Sequence, residues 1–316
     1  MSVHAPSINP AFLADVRDGL LARPKFLSPT WLYDTAGSRL FEEITRLPEY
    51  YPTSAETEIL TAHSSDIARR TQPTTLVELG SGSSTKTRLL IDAARAAGHL
   101  ARYVPVDVSE DALIDAARAL KSDYPNLSIE PKIDDFTGPF PLPAASRRVI
   151  AFLGGTFGNL LPDARHRFLT SLRAQMSAGD TLLLGADLVK ESAVIVRAYD
   201  DAAGITAAFN VNVLVRLNRE LGCDFDIPAF QHIAHWDVEH EWIEMRLRSL
   251  KAQTVRVPAL GLTVAFDADE ELRTEISAKF RPARLAAELS AAGLPVQGWW
   301  TDHATRYGVA LAGLHV

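Results

Sequence analysis

The sequence predicts an α/β protein with a mainly parallel β-sheet and a second region that mixes helices with antiparallel strands. From Thr75 onward, short apolar runs alternate with amphipathic stretches of about 10–15 residues, which is typical of βαβ units with helices on both faces of the sheet. After Leu188 this rhythm ends. A long helical stretch follows, and then runs of alternating apolar and polar residues, as in an antiparallel sheet with one wet face.

The predicted elements follow in chain order. Short helices and loops occupy residues 9–65. Strands of the first sheet are predicted in TLVEL, YVPVDV, LSIEPKI, RRVIAFL and DTLLLGADL, each followed by a helix or a loop. Residues 194–222 are predicted to form an interrupted helix, and antiparallel strands are expected in AFQHIAHWD, EWIEMRLRSLKAQTVRVPAL and LTVAF. A last helix, RPARLAAELSAAG, precedes two strands, PVQGWWTD and YGVALAGL.

Because strands of the first kind return near the carboxyl terminus, the sequence predicts a discontinuous α/β domain. We assign residues 60–190 and 280–316 to this domain. Residues 8–59 and 191–279 then form the second, α+β domain. A chain of 316 residues with 47% hydrophobic residues is long and apolar enough for two such joined domains.

Composition argues against several classes of partner. A net charge of −7 disfavours general binding to nucleic acid, which needs concentrated Lys and Arg. No stretch reaches the roughly 18 apolar residues of a membrane span, and the amino terminus carries no export signal, so we expect no membrane partner. Cys223 is the only cysteine, which excludes an intramolecular disulfide. The expected setting is the reducing cytoplasm, and the expected form is a monomer.

The segment VELGSGSSTKT links a predicted strand to a predicted helix through Gly80 and Gly82. It is similar to a phosphate-binding loop, but Thr85 stands where that loop needs its second glycine. A β-branched residue resists the positive φ required there. Glu78 would also repel a polyphosphate. The turn therefore suits a ligand without phosphates, and a plain strand-to-helix turn is the alternative.

In open α/β sheets, ligands bind beyond the carboxyl ends of the strands, and three further strand ends carry informative residues. VPVDVS presents Asp107, a carboxylate suited to the hydroxyls of a ribose. KIDDF presents Asp135 and Phe136, which suit the amine and the face of an adenine. LGGTFGN places Asn159 where the reacting end of the ligand is expected. A ligand with a ribose and an adenine but no obligatory phosphate is S-adenosylmethionine.

Six segments spread over nearly the whole chain carry a family resemblance. They are WLYDTAGSRLFEEITRLPEYYPTSAE, VELGSGSSTKTRLL, FLGGTFGNL, DLVK, VRAYDDAAGITAAFN and ISAKFRP. In these segments the sequence resembles the L-histidine Nα-methyltransferases, which trimethylate histidine to hercynine in ergothioneine biosynthesis. The resemblance implies a class I S-adenosylmethionine-dependent methyltransferase fold, with a Rossmann-like seven-stranded sheet and a second α+β domain that binds the substrate. It also implies L-histidine as a small-molecule substrate.

The resemblance further implies two sets of site residues. The residues expected to contact the cofactor are Tyr33, Gly80, Lys86, Asp107, Asp135 and Phe136. The residues expected to line the histidine pocket are Tyr50, Asn159, Tyr199, Met245, Glu275 and Ser277. Lys86 would meet the carboxylate of the cofactor. Asn159 and Tyr199 would donate to the carboxylate of the substrate, and Glu275 would accept an imidazole N–H.

The implied reaction is in-line attack of the neutral α-amine on the methyl group of the cofactor, repeated three times, with the protein contributing mainly positioning. Tyr33 can orient the lone pair of the amine, and together with Asn159 it is the catalytic candidate; no general base stands out. Glu275 would be the main selector, because a buried polar pocket rejects substrates that leave it unpaired. Phe157, two residues before Asn159 and next to the expected reacting end, would bear on the size of the pocket.

Simpler interpretations compete at each position. Tyr50 could only pack the second domain, and Tyr199 precedes two aspartates that could cap a helix. Glu275 could lie on a solvated helix face, and Lys86 on the surface. Other functions also stay open: methylation of another aromatic amino acid, methylation of a macromolecule, or binding of the cofactor without catalysis.

His232, His235 and His240 lie near Asp237 and suggest a metal hypothesis. Residues three apart on a strand face opposite sides, which spoils joint ligation. We therefore predict no metal site and expect structural histidines. Cys223 has no identifiable base beside it in the sequence, so a structural role is expected for it as well.

Overall fold

The structure of the protein is a computed structural model that describes residues 8–82, 84–134 and 140–314. The chain divides into two compact units. Residues 1–50 and 192–276 form one, here called the α+β unit. Residues 51–191 and 277–316 form the other, here called the parallel-sheet unit. The first boundary between the units falls after Tyr50, whereas the sequence analysis placed it after residue 59. Which ligand each unit binds stays a prediction.

The helices are α1 (Pro10–Leu21), α2 (Thr35–Ile44), α3 (Tyr51–Thr71), α4 (Thr87–Ala96), α5 (Glu110–Asp123), α6 (Pro162–Gln175), α7 (Ser192–Tyr199), α8 (Ile205–Leu221) and α9 (Pro282–Ala291). The strands are β1 (Lys25–Phe26), β2 (Thr75–Leu79), β3 (Arg102–Asp107), β4 (Ser128–Ile129), β5 (Lys132–Ile133), β6 (Arg148–Phe152), β7 (Thr181–Asp187), β8 (Phe230–Asp237), β9 (Trp242–Ser249), β10 (Gln253–Val257), β11 (Leu262–Phe266), β12 (Glu271–Ala278), β13 (Val296–Thr301) and β14 (Tyr307–Gly313). Within the described residues, every helix is too short or too polar to cross a bilayer.

The parallel-sheet unit is built on strands in the order β13-β14-β7-β6-β2-β3-β4, with β5 also paired to β3. The strands from β7 to β4 are parallel, and β14 runs antiparallel to both β7 and β13. This seven-strand order with a returning hairpin is the class I methyltransferase arrangement that the sequence predicted. The fold prediction is confirmed.

Strands β2, β6 and β7 are buried along their whole length, as expected of parallel strands covered on both faces. Apolar side chains of α3, α4 and α5 pack in one core cluster with residues of β2, β3 and β14. Because these central strands are fixed on both faces, their carboxyl ends form a rigid edge.

The α+β unit contains a sheet in the order β1-β12-β9-β8 and a separate hairpin of β10 and β11. β8 and β9 are antiparallel, with Phe230 opposite Ser249 and Asp237 opposite Trp242. The predicted segment EWIEMRLRSLKAQTVRVPAL contains two strands, β9 and β10. The predicted interrupted helix is α7 followed by α8, and the Asp201 carboxylate accepts the Ile205 and Thr206 amides at the start of α8.

Candidate active site

The glycine turn after β2 adopts the left-handed conformation that its glycines allow. Gly80 has φ 68° and Gly82 has φ 48°. The Gly80 amide donates to the Val106 carbonyl at 2.9 Å, which holds the turn against β3. The Gly82 amide donates to the Asp107 carboxylate at 2.8 Å. Two predicted cofactor residues, Gly80 and Asp107, are thus part of one hydrogen-bonded corner at adjacent strand ends.

This corner has the features that a polar ligand needs. The Ser81 hydroxyl is buried, and within the described residues it has no hydrogen-bond partner. A Cβ added at Gly82 would meet no atom within 4 Å, so the backbone faces open space there. The Asp107 carboxylate has four lone-pair sites, and the Gly82 and Ser109 amides occupy two of them. The described residues therefore fit a ligand that brings hydroxyl donors and no phosphate.

Lys86 pairs with Glu56, a residue of α3 that the sequence did not single out. The Glu56 side chain is fully buried, and it also accepts the Gly154 amide at 2.9 Å and the Tyr307 hydroxyl at 3.0 Å. Gly185 on β7 makes room for this group, because a Cβ there would lie 2.1 Å from Glu56 Oε1. Lys86 is about a quarter exposed and keeps two further N–H donors.

Glu78, on β2 just before the glycine turn, is buried. It accepts hydrogen bonds from the hydroxyls of Thr87 and Tyr103, and Tyr103 also bonds Ser84 at 2.8 Å. Burial raises the pKa of Glu78 to about 7 in spite of these hydrogen bonds. The helix predicted from Ser84 begins three residues later, because Ser84 has φ 52° and still belongs to the turn.

Asn159 closes a short 3-10 turn, Thr156–Asn159, that follows β6. Within it, Gly158 lies directly against the backbone of β12: a Cβ added there would be 2.8 Å from the Ala278 carbonyl oxygen. Only glycine permits this approach. It brings the turn that carries Asn159 beside the strand that carries Ser277.

Phe157, in the same turn as Asn159, packs against other aromatic residues. Its side chain is fully buried, and its ring stacks on Phe280 with 5.7 Å between centroids. It also contacts Phe152 and Phe168. Phe157 thus belongs to an aromatic part of the hydrophobic core, and its effect on the size of the pocket stays a prediction.

A buried charged cluster at the end of β7 was also missed. Asp187 accepts from the Tyr51 hydroxyl at 2.8 Å and pairs with Lys279 at 2.9 Å and with Lys190. Burial alone would raise the pKa of Asp187, but the two lysines outweigh it and hold that pKa below its usual value. Lys279 also donates to the Ser277 hydroxyl at 2.9 Å, which orients this predicted substrate residue.

In the α+β unit, three predicted tyrosines belong to one chain of aromatic contacts. The Tyr33 ring lies 5.4 Å from Phe41 on α2 and 5.4 Å from Phe209 on α8. The Tyr50 ring lies 6.2 Å from Phe41 and 6.1 Å from Tyr199. These edge-on contacts fix ring orientation. Tyr33, Tyr50 and Tyr199 are thus brought together, with Phe41 and Phe209 between them.

Met245 and Glu275 are both buried, on the neighbouring strands β9 and β12. The Thr274 hydroxyl lies 3.0 Å from the Met245 carbonyl oxygen. Because Glu275 directly follows Thr274, Met245 and Glu275 lie close together on the two strands. The alternative of a solvated helix face for Glu275 is wrong, because the residue is on a strand and only 7% exposed. The sequence carried the signal, since apolar Leu272 and Ile276 alternate with charged and polar residues.

The remaining positions singled out in the sequence are Asp135, Phe136, the three histidines near Asp237, and Cys223. Asp135 and Phe136 lie outside the described residues. In the part of the chain that the structure describes, no three His, Cys, Asp or Glu side chains group as metal ligands do. His240 bonds Asp237 at 2.7 Å and stacks on Trp242. Burial raises the pKa of Cys223 to about 11, which makes it a poor nucleophile.

Comparison with known proteins identifies the family. A sequence profile of the family described as histidine-specific, SAM-dependent methyltransferases matches residues 12–314. A Mycobacterium tuberculosis protein named histidine N-alpha-methyltransferase is 54% identical over 96% of this chain and 94% of its own length. Its namesake in Mycolicibacterium smegmatis is 52% identical over 98% and 96%. Ergothioneine biosynthesis protein 1 of Schizosaccharomyces pombe is 31% identical over 62% of this chain and 27% of its own length. The chain belongs to the family of S-adenosylmethionine-dependent, histidine-specific methyltransferases.

Proposed function

We propose that the protein transfers three methyl groups from S-adenosylmethionine to the α-amine of L-histidine, forming hercynine in ergothioneine biosynthesis. The observation that carries this proposal is more than 50% identity, over nearly the full chain, to two proteins named histidine N-alpha-methyltransferases. The similarity to an ergothioneine biosynthesis protein supports the pathway. We also propose that it acts as a cytoplasmic monomer.

In this proposal the parallel-sheet unit binds the cofactor. Asp107 accepts the ribose hydroxyls, because its carboxylate keeps acceptor sites beyond those used by the two backbone amides. Gly80 allows the turn to approach the ligand closely. Lys86 uses its remaining N–H donors on the cofactor's carboxylate. Tyr33, Asp135 and Phe136 complete the proposed set. When bound, the cofactor supplies an electrophilic methyl group on a positively charged sulfur.

The amino acid is held by side chains that complement both of its ends. Tyr199 and Asn159 donate to its carboxylate, and Glu275 accepts a ring N–H. Ser277 and Tyr50 supply further hydrogen bonds, and Met245 supplies apolar contact. A buried carboxylate such as Glu275 favours a ring that brings an N–H donor, because hydrogen bonds to a charged acceptor are stronger than those to a neutral one. This preference separates histidine from aromatic amino acids without a matching donor.

Each transfer forms a C–N bond, breaks an S–C bond and leaves S-adenosylhomocysteine. The amine attacks as the neutral species, which is the minor form near neutral pH because the free ammonium group has a pKa above neutrality. Tyr33 orients the lone pair of the substrate amine through a hydrogen bond. The first and second products each release a proton to water before the next transfer.

A labelling experiment tests the proposal. The purified protein is incubated with methyl-labelled S-adenosylmethionine and each of the twenty free amino acids, and products are identified by mass spectrometry. We expect strong preference for histidine and a trimethylated product. Labelling of tryptophan with histidine inert would favour the related small-molecule enzyme. Labelling of protein, or cofactor binding with no product, would favour the other two functions.

A further inference from the structure

Asn210 on α8 is a fully buried polar residue whose hydrogen bonds are all satisfied. Its amide nitrogen donates to His232 Nδ1 at 2.9 Å and to the Arg246 carbonyl at 3.0 Å. Its side-chain oxygen accepts the Thr274 hydroxyl. A side-chain amide has two N–H donors and one carbonyl acceptor, so Asn210 connects α8, β8, β9 and β12 through one group.

The arms of this network end at the residues proposed to hold the amino acid. His232 Nε2 lies 2.8 Å from the Tyr199 carbonyl oxygen. The Thr274 hydroxyl lies within reach of the Met245 carbonyl as well as of Asn210, and its single proton serves either acceptor. Thr274 also directly precedes Glu275. The Asn210 amide is therefore linked to Tyr199 through His232 and to Met245 through Thr274. It is linked to Glu275 through the peptide bond that joins Thr274 to Glu275.

The two hydrogen bonds of His232 fix its tautomer. The Tyr199 carbonyl only accepts, so His232 Nε2 carries the hydrogen and Nδ1 accepts from Asn210. Burial lowers the pKa of His232, although Asp200 and Asp201 oppose that shift. His232 is therefore neutral at neutral pH. A buried network with every member satisfied is rigid, because any shift of one element breaks a directional bond in low dielectric.

Phe209, the residue before Asn210 on α8, contacts the aromatic residues around Tyr33 and Tyr50. Phe209 contacts the rings of Tyr33 and Phe41 at 5.4 and 5.9 Å, and Phe41 in turn contacts Tyr50. Adjacent residues on a helix face different directions. Phe209 therefore contacts the aromatic rings, whereas Asn210 bonds His232 and Thr274.

We propose that Asn210, His232 and Thr274 form a positioning network that fixes the distance between the two ends of the amino-acid pocket. Tyr199 marks the end that holds the acid, and Met245 and Glu275 mark the end that holds the ring. The network thereby determines which side-chain length the pocket accepts. This role rests on the proposed function, since it assigns those residues to the substrate. None of the three network residues needs to touch the substrate.

Thr274→Val tests the network, because valine keeps the shape and removes the hydroxyl. We expect KM for histidine to rise about ten-fold, equivalent to ~1.4 kcal/mol, with kcat and the dissociation constant of S-adenosylmethionine within about two-fold. The ratio of kcat/KM for histidine to that for the next-best amino acid should fall. Thr274→Ser restores the hydroxyl and should restore KM and the ratio.

Ser249→Ala is the matched control. Ser249 is a fully buried residue on β9, and its hydroxyl bonds the Lys251 carbonyl at 2.8 Å and the Gln253 side chain at 2.7 Å, not a proposed pocket residue. Its loss should lower the melting temperature and leave KM for histidine unchanged. If Thr274→Val lowers the melting temperature similarly without changing KM or the ratio, the positioning role is overturned. If instead the wild-type protein does not methylate histidine, the proposed function fails.

Discussion

The two units differ in the buried polar groups around their candidate site residues. In the parallel-sheet unit these groups are charged: Asp187 pairs with Lys190 and Lys279, and Glu56 pairs with Lys86. In the α+β unit, Asn210, His232 and Thr274 join through neutral hydrogen bonds, although this unit also buries Lys25, which pairs with Glu270. Removing one member of a buried ion pair leaves an uncompensated charge, whereas removing one neutral partner leaves only an unpaired dipole. Charge-changing substitutions in the Asp187 cluster should therefore cost more stability than substitutions in the Asn210 network.

Asp187→Asn should give the largest effect, a loss of about 3–5 kcal/mol in the free energy of unfolding, because two buried lysines lose their counter-ion. Urea denaturation at neutral pH measures it. Asp123→Asn is the control, since its ion pair with Arg88 is half exposed and should contribute less than about 1 kcal/mol. Equal losses of unfolding free energy in the two variants would show that the buried ion pairs of Asp187 stabilise the protein no more than the exposed pair of Asp123.

Glu275→Gln should reduce kcat/KM for histidine roughly 100-fold, about 2.7 kcal/mol, because a charged acceptor for the imidazole N–H is replaced by a neutral amide. Binding of S-adenosylmethionine, measured by calorimetry, should be unchanged. Glu271→Gln is the matched control on the same strand, where Glu271 pairs with Arg246 and Arg248. Parallel losses in turnover and cofactor binding would exclude Glu275 from the substrate pocket.

Glu78→Gln should change the dependence of stability on pH. The folded-state pKa of Glu78 is raised to about 7 from 4.5, so the folded state binds the extra proton between these values, and wild-type stability from this group falls as pH rises through them. We expect the variant to gain about 2 kcal/mol on wild type between pH 5 and pH 7. Thermal unfolding across pH measures this. Glu43→Gln, on the exposed surface of α2, should track wild type.

The sequence was sufficient for the fold because its signals are local. The alternation of apolar strands and amphipathic helices from Thr75 predicts the parallel sheet, and the turn residues mark the strand ends. The missed residues depend on distant pairing. Glu56 meets Gly154 and Tyr307, which lie far along the chain, and nothing in a single sequence shows such a match. The position of Glu275 could have been found, because its segment has a period of two.

The proposed pocket shows the same division between local and distant information. The family resemblance points to Tyr199 and Met245. Asn210 ends the same segment as Tyr199, VRAYDDAAGITAAFN, but the segment does not show which distant groups Asn210 bonds. Its partners His232 and Thr274 belong to two different strands. Only the tertiary structure brings these three side chains together, so their role could not be derived from spacing.

Lys86→Met should give the smallest effect, about a ten-fold weaker binding of S-adenosylmethionine, or ~1.4 kcal/mol, with histidine binding unchanged. The single variant also strands the buried Glu56 charge and so loses stability for a second reason. The double variant Lys86→Met with Glu56→Gln separates the two effects. It removes the stranded charge, so its melting temperature should return towards wild type while cofactor binding stays weak. If cofactor binding recovers together with stability, Lys86 does not bind the cofactor. Its charge then serves only to pair with Glu56 and stabilise the fold.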